Sequence, residues 1–386
     1  METYKLKDIC HKITDGSHNP PKESNFSEYV MLSSKNINND SITYQEPRYL
    51  TREEFEIENR RTDIKKGDVL LTIVGTVGRC AVYNDSNNVV LQRSVAVIKP
   101  KQDLVNSRFL MYKLISLSDV FEREARGVAQ KGIYLKQLSN IEISIPNLIF
   151  QGKIVKILDY SKSLIKKRKT QIEALDELVK SKFIETFSNL KNEEKLPLED
   201  STTFIDYRGK TPVLSESGIR IINAKSVGNG FFKYIDEYIS EDTYNSWMKR
   251  GFPVAGDVLF VTEGHTFGNV CRIPSDLKKF AMGQRVITMQ GKNRLLNNVF
   301  LAQYMQSMSF KIDIDKYKTG SSAQGIRSKE LQKILIPIPP IELQNKFADF
   351  VNRVNKLKFE MQKSLEEMEN NFNSLMQRAF KGELFK

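Results

Sequence analysis

One pattern occurs twice in this chain, and that duplication constrains its fold more than any local motif. Pro146, Gln151 and Phe187 recur as Pro339, Gln344 and Phe380, each 193 positions later. Gly67-Asp68-Val69-Leu70 returns as Gly256-Asp257-Val258-Leu259, and Gln92-Arg93 as Gln284-Arg285. Lys35 answers Lys225, and Gln130-Lys131-Gly132-Ile133 answers Gln324-Gly325-Ile326. The offset drifts only between 189 and 194, so insertions are small and confined to loops. A repeat of this size is a tandem pair of related domains rather than a solenoid, whose periods run roughly 20–50 residues.

Each copy has two textures. Residues 1–147, and again 191–340, are short β-branched or apolar runs broken by Gly, Asn, Asp and Pro. Asp68–Val74 and Ser94–Ile98, matched by Asp257–Val261 and Arg285–Met289, are expected strands. Helical stretches at Ser107–Glu124 and Asn298–Met308 make each globular part α+β. Residues 148–190 and 341–386 differ, because their apolar spacing moves from 2 to about 3.5. The positions Ile154, Leu158, Ser161, Ile165, Arg168, Ile172, Leu175 and Val179 are six of eight apolar. Adding the repeat offset gives Phe347, Val351, Val354, Lys358, Met361, Leu365, Met368 and Phe372, seven of eight apolar. Two segments in one heptad register predict two long helices that pair as a coiled coil. A 42-residue helix spans about 63 Å. The short linker Lys191–Leu198 rules out end-to-end stacking. The expected architecture is therefore an antiparallel pair with one globular domain at each end, a ruler holding two recognition surfaces in inverted orientations.

Charge narrows the class of partner. Among 386 residues there are 59 Lys and Arg against 47 Asp and Glu, a net +12, which favours a polyanion, nucleic acid first. Cys10, Cys80 and Cys271 are isolated and there are three histidines, so neither a disulfide framework nor a zinc site is expected. The opening residues lack an apolar signal core, and no run approaches the roughly 18 apolar residues of a membrane span. The expectation is a cytoplasmic protein with no membrane partner.

Several polar positions are candidates for DNA contact, each with a structural alternative. Gly75-Thr76-Val77-Gly78-Arg79 is a glycine-flanked turn after a buried strand. It serves either as a hairpin turn or as a close approach to the duplex, with Thr76 at its tip and Arg79 forking onto phosphate or guanine. The second copy reads Gly264-His265-Thr266-Phe267-Gly268-Asn269, without the arginine, so His265 and Thr266 are its counterparts and Phe267 is an aromatic tip for a base or sugar. Gln92-Arg93 and Gln284-Arg285 open otherwise apolar strands; glutamine matches adenine and arginine matches guanine, but buried hydrogen bonding is the alternative. Lys35 and Lys225 suit phosphate anchoring or plain solvation, as do Lys131 and Lys329 beside the Gln-Gly-Ile turns. Tyr207-Arg208-Gly209-Lys210 is a basic turn with an aromatic, fit for a DNA-facing loop. Lys166-Lys167-Arg168-Lys169 lies mid-helix and is expected on a solvated or docking face.

Catalytic signatures are missing. Asn19-Pro20-Pro21-Lys22 has a lysine where an amino-methyltransferase needs an aromatic to hold the extruded base. No P-loop occurs, and Gly228-Asn229-Gly230 lacks the third glycine of a dinucleotide fingerprint. No catalytic residue, metal site or bound cofactor is expected on this chain.

The order of these motifs, given twice and each time followed by a long helix, resembles the specificity subunit of type I restriction–modification systems. Lys66–Leu70 with Gly75–Arg79, Gln130–Ile133, and Ile143-Ser144-Ile145-Pro146 leading into Gln151 carry the likeness in the first copy. Gly320–Ile326, Ile336–Pro340 and the ending Ala379–Leu384 carry it in the second. The resemblance implies two target-recognition domains, residues 1–147 and 191–340, reading the two halves of a bipartite double-stranded DNA site. It implies conserved spacer helices at 148–190 and 341–386, with Ile154, Leu158, Ile172, Leu175, Phe347, Val351, Leu365 and Phe372 as spacer and partner-docking positions. Two methyltransferase subunits, and in the full enzyme two restriction/translocase subunits, would dock there. S-adenosylmethionine, ATP and Mg²⁺ would be held by those partners. The alternatives are a basic coiled-coil scaffold that binds nucleic acid without reading sequence, and a stand-alone DNA-modifying enzyme.

Overall fold

The computed structural model describes residues 1–125, 132–207, 211–320 and 324–384. The chain begins with β1 (Glu2–Lys5), β2 (Cys10–Asp15), β3 (Tyr29–Leu32), β4 (Ile37–Asn38), β5 (Ser41–Ile42), β6 (Arg48–Tyr49) and α1 (Arg52–Thr62). It continues through β7 (Val69–Thr72), β8 (Cys80–Val82), β9 (Asn88–Leu91), β10 (Val95–Pro100), α2 (Ser107–Ile115), α3 (Ser118–Glu124), α4 (Leu135–Ser139) and β11 (Glu142–Ile145) to the long α5 (Leu148–Thr186). The second copy comprises β12 (Lys195–Pro197), α6 (Leu198–Ser201), β13 (Thr202–Asp206), β14 (Ile219–Ile222), β15 (Tyr238–Ile239), α7 (Glu241–Trp247), β16 (Val258–Val261), β17 (Val270–Arg272), β18 (Ala281–Met282) and β19 (Val286–Gly291). After these come α8 (Asn298–Met305), α9 (Met308–Asp315), α10 (Ser328–Gln332), β20 (Leu335–Pro337) and the long α11 (Ile341–Lys381).

Both copies use one topology. The central four-stranded sheet has the order β2-β10-β7-β8 in the first and β13-β19-β16-β17 in the second. A smaller sheet, β6-β3-β9 or β15-β14-β18, lies beside it, and β1-β11 or β12-β20 closes the fold. The pairs β3/β9 and β14/β18 are parallel, among otherwise antiparallel pairings. Every residue of β7 and of β16 is buried, because both faces of the central sheet are covered. Val69, Leu71, Ala96 and Ile98 face the helices, and Leu70, Val95 and Val97 face the small sheet. In the second copy Val258, Phe260 and Ile287 take the helix side, with Leu259, Val261 and Val286 opposite. This period-2 division follows from strand geometry. The helices expected at 107–124 and 298–308 each break into two: Ser116–Leu117 separates α2 from α3, and the Ser307 hydroxyl caps a new helix by accepting from Phe310 N–H.

The chain divides into two compact units, Met1–Lys169 with Lys363–Lys386, and Thr170–Gln362. Each unit therefore contains part of both long helices. In the first, Ile154 and Leu158 of α5 share a core with Ala379, while Lys169 Nζ reaches Glu369 at 2.7 Å. In the second, Phe183 of α5 meets Phe347 edge to face at 5.5 Å, and Lys358 Nζ lies 2.5 Å from Asp176. Within each unit residue numbers rise along α5 as they fall along α11, so the helices pair antiparallel. None of the sixteen heptad positions named above is exposed. The polar intruder Lys358 is accommodated by its ion pair with Asp176, and the run at 166–169 puts Lys169 into the pair with Glu369.

That pairing corrects one expectation about docking. Ile154, Leu158, Phe347 and Val351 are at most 6% exposed, covered by this chain's own domains and helices, so they offer no surface to a partner. Ile172 is buried, and Leu175, Leu365 and Phe372 are half-buried. The outward apolar residues of the long helices are instead Tyr160, Leu178, Ile184, Leu357 and Phe359, with Leu148, Ile149 and Phe150 in the first turn of α5.

Candidate nucleic-acid interface

In the first unit, the parallel pairing of β3 with β9 brings distant loops to one edge. Gln92 N–H donates to Leu32 O at 2.8 Å and Arg93 N–H to Ser17 O at 2.8 Å. Ser34 N–H donates to the Ser94 hydroxyl at 3.1 Å, and Ile73 N–H to Ser94 O at 2.9 Å. A Cβ added to Gly75 would lie 3.8 Å from the Ser34 hydroxyl. Lys35, Thr76, Gln92 and Arg93 thus share one rim. Lys35, Thr76 and Arg93 are exposed and Gln92 is half-buried. Arg93 has no side-chain partner among the described residues, whereas Lys35 stands 3.7 Å from Glu46. Lys35 and Gln92 also line a cleft of about 620 Å³ with Asn36, Arg48 and Tyr49.

Glycine makes the 73–79 loop possible. Gly75 and Gly78 have φ of +83° and +94°, which L side chains avoid. Val77 tucks into the core, so Thr76 is left at the tip. Arg79 stands at the foot of the loop, half-buried, its N–H donating to the Thr72 hydroxyl at 2.9 Å.

The second unit builds the same edge with Gly283, Gln284 and Arg285 standing where Gln92, Arg93 and Ser94 stand in the first, so the strand register corrects the expected pairing of Gln92-Arg93 with Gln284-Arg285 by one residue. Gly283 N–H donates to Ile222 O at 2.7 Å, Thr262 N–H to Arg285 O at 2.9 Å, and Gly264 N–H to Gln324 O at 3.0 Å. Asn269 Nδ2 donates to Val227 O at 3.1 Å, tying the glycine loop to the turn that carries Lys225. Lys225 and Arg285 are exposed but paired, with Glu237 and Glu263 respectively. Neighbouring Lys225 holds the Glu237 carboxyl below its ordinary range. Arg285 adopts φ +64°, a left-handed conformation that turns it out of strand geometry. His265 is exposed and Thr266 and Gln284 are half-buried on this rim.

Other expected residues fall elsewhere. Tyr207 is 2% exposed, and its hydroxyl donates to Gly251 O at 2.7 Å and accepts from Arg250 N–H at 2.8 Å. It is a core residue, which removes it from the DNA-facing set. Phe267 stacks edge to face on Phe260 at 6.3 Å, so this aromatic supports the loop rather than tipping it. Lys329 is exposed on α10, beyond the Ile326–Thr262 contact. Lys131, Arg208 and Lys210 lie outside the described residues. Reading the sequence missed Arg48, Tyr49 and His18. Arg48 and Tyr49 reach the first cleft on β6, and His18 Nε2 lies 2.8 Å from Asp15 beside the Arg93 loop; nothing in the local sequence signals either placement.

Among the described residues no group of three or more His, Cys, Asp or Glu could hold a metal ion, and no helix is long and apolar enough to cross a membrane.

Each copy of the duplicated α+β module presents a loop edge that carries amides and cations, and each copy is followed by a long helix. The model of the type I restriction modification DNA specificity domain matches residues 1–174 and again 184–370. The chain belongs to this family and is a DNA sequence-specificity subunit. It is 22% identical over 350 residues to the MjaVIII specificity subunit of Methanocaldococcus jannaschii, covering 85% of this chain and 82% of that protein. The EcoBI specificity subunit of Escherichia coli is 27% identical over 157 residues, which are 39% of this chain and 33% of that one. Among solved structures, the S subunit from M. genitalium aligns with a TM-score of 0.53 at 14% identity, covering 98% of this chain and 96% of that one. A chain from a study of assembly and conformational transition in the type I system aligns at 0.63, also at 14% identity, covering 99% and 98%. At such identity these two show the fold alone.

Proposed function

We propose that each globular domain reads one half of a bipartite double-stranded DNA target and that the paired helices set the gap between the halves. The observation that supports this reading is the loop edge built twice on one hydrogen-bond scaffold from different side chains. Conserved backbone with divergent tips suits two readers of unlike sequences. Lys35 and Lys225 anchor phosphates, which fix register without reading bases. Gln92, Arg93, Gln284 and Arg285, with Thr76, His265 and Thr266, reach base edges, where glutamine and arginine make bidentate pairs. Glu237 and Glu263 hold Lys225 and Arg285 until phosphate or base displaces them.

The helices dock two methyltransferase subunits and, in the full enzyme, two restriction/translocase subunits through outward residues such as Tyr160, Ile184, Leu357 and Phe359. Those partners hold S-adenosylmethionine, ATP and Mg²⁺, and the assembly works in the cytoplasm. Inserting one heptad into α5 and one into α11 at equivalent positions tests the ruler. The mapped methylation motif should keep both half-sites and change its gap; an unchanged gap defeats the idea.

A further inference from the structure

The two copies differ at one place that the shared scaffold makes easy to compare. In the first unit β4 and β5 form a hairpin, Ile37 opposite Ile42, whose tip is Asn39-Asp40, with Asp40 at φ +67°. This hairpin continues directly from the turn that carries Lys35. Its tip is held from three sides. Asp40 N–H donates to Cys80 O at 2.8 Å, at the end of the glycine loop. Arg108 on α2 places Nη1 2.9 Å from one Asp40 carboxylate oxygen. Lys162 on α5 lies 3.1 Å from the other and 3.3 Å from Asn39 O.

Arg108 in turn spans to the spacer helix. Its Nε lies 3.1 and 3.0 Å from the two carboxylate oxygens of Asp159, and Tyr112 OH donates to the same carboxylate at 2.6 Å. Arg108 and Asp159 are about one-third exposed and Asp40 less, so this network is only partly screened.

In the second unit the same turn exists without charge. Gly230 replaces Asp40 and donates to Val270 O at 2.8 Å, as Asp40 does to Cys80. The counterparts of Arg108, Tyr112, Asp159 and Lys162 are Val299, Gln303, Asn352 and Asn355. The backbone therefore needs no ion cluster to make the turn, and the charges in the first copy serve something else.

We propose that Arg108 is a positioning residue that latches the Lys35-bearing hairpin of the first domain to the spacer helix, so that half-site discrimination by this domain, and not by the second, depends on the latch. A guanidinium bidentate to two carboxylates on separate elements fixes both distance and orientation. Cutting it loosens the hairpin tip, leaving it to Lys162 and the Cys80 carbonyl, which blurs base discrimination while leaving the sheet core intact. The proposal rests on the reading of the loop edge as the DNA interface.

The test uses the full chain in its assembled complex, with methylation rates on the cognate site and on sites mismatched in either half. Arg93→Ala first identifies which half the first domain reads. Arg108→Val, the residue of the second copy, should then lower discrimination at that half about tenfold and change the other half less than twofold. Arg108→Lys should restore part of it. Asp40→Asn gives the same comparison with Arg108 still held by Asp159, should Arg108→Val lower the yield of folded complex. Equal loss at both halves, or intact discrimination in both variants, overturns the latch. If Arg93→Ala leaves discrimination at both halves unchanged and Lys35→Ala leaves the rates on every site unchanged, the interface reading fails and the latch with it.

Discussion

Gln151 and Gln344 make the same three hydrogen bonds, each from a side chain with no solvent exposure. Gln151 Oε1 accepts from Asn106 N–H at 2.7 Å, and its Nε2 donates to Leu104 O and Pro146 O at 2.9 and 2.8 Å. Gln344 does likewise with Asn297 N–H, Leu295 O and Pro339 O, at 2.8, 3.0 and 2.7 Å. Each amide ties the first turn of a long helix to the loop that starts α2 or α8. A fully satisfied buried amide of this kind fixes the angle at which the helix leaves its domain.

Replacing either glutamine by alanine leaves a backbone N–H and two carbonyls without their partner in a partly buried joint. Each change should cost about 2–4 kcal/mol, beyond what an exposed substitution costs. Denaturant unfolding followed by circular dichroism measures it. A loss under 0.5 kcal/mol for both would show that the amides do not set the joint.

The two copies also solve one burial problem differently. Lys99 Nζ lies 2.5 Å from the buried Asp68 carboxylate, whereas Gln290 Nε2 donates to Asp257 at 2.8 Å. Lys99→Gln borrows the second copy's solution and should cost roughly 1 kcal/mol. Lys99→Met leaves an unpaired buried charge and should cost roughly 3 kcal/mol. Thermal melts of the two variants rank them, and equal melts would contradict this account.

Burial pushes the Cys10 and Cys271 thiols up to about 12, with Lys101 and Arg272 respectively drawing them slightly down. Their thiolate forms are therefore scarce at neutral pH, and thiolate is the nucleophile. Iodoacetamide at pH 8 should label them slowly in the native chain and rapidly after denaturation. Fast native labelling would contradict the packing described.

Salt separates the proposed anchors from the proposed readers. Lys35→Ala should weaken binding to all duplexes alike and lower the salt slope by about one. Arg93→Ala should instead relax preference at one half-site, costing about 1–3 kcal/mol on the cognate duplex and little on a scrambled one. Fluorescence anisotropy across a salt series, with cognate and scrambled duplexes, distinguishes them.

Much of the fold was legible because its signals are periodic. The heptads of α5 and α11 and the alternating strands β7 and β16 announce themselves within a few residues. The interruption of α2 by Ser116–Leu117 was not legible, since both flanks are good helix formers and packing decides the break. The edge that gathers Lys35, Thr76, Gln92 and Arg93 depends on β3 pairing in parallel with β9, between strands separated by more than fifty residues. Long-range register of that kind leaves no local mark. Tyr207 illustrates the reverse limit: beside a basic glycine turn it looks like a surface aromatic, yet Gly251 and Arg250 on a distant loop claim its hydroxyl.

The central proposal is that two diverged readers divide one address between them. Genome-wide mapping of methylated adenines in cells carrying Arg93→Ala or Arg285→Ala tests it most directly. Each variant should relax one half of a gapped motif, and the two should relax opposite halves. Relaxation of the same half by both, or of an ungapped motif, would contradict it.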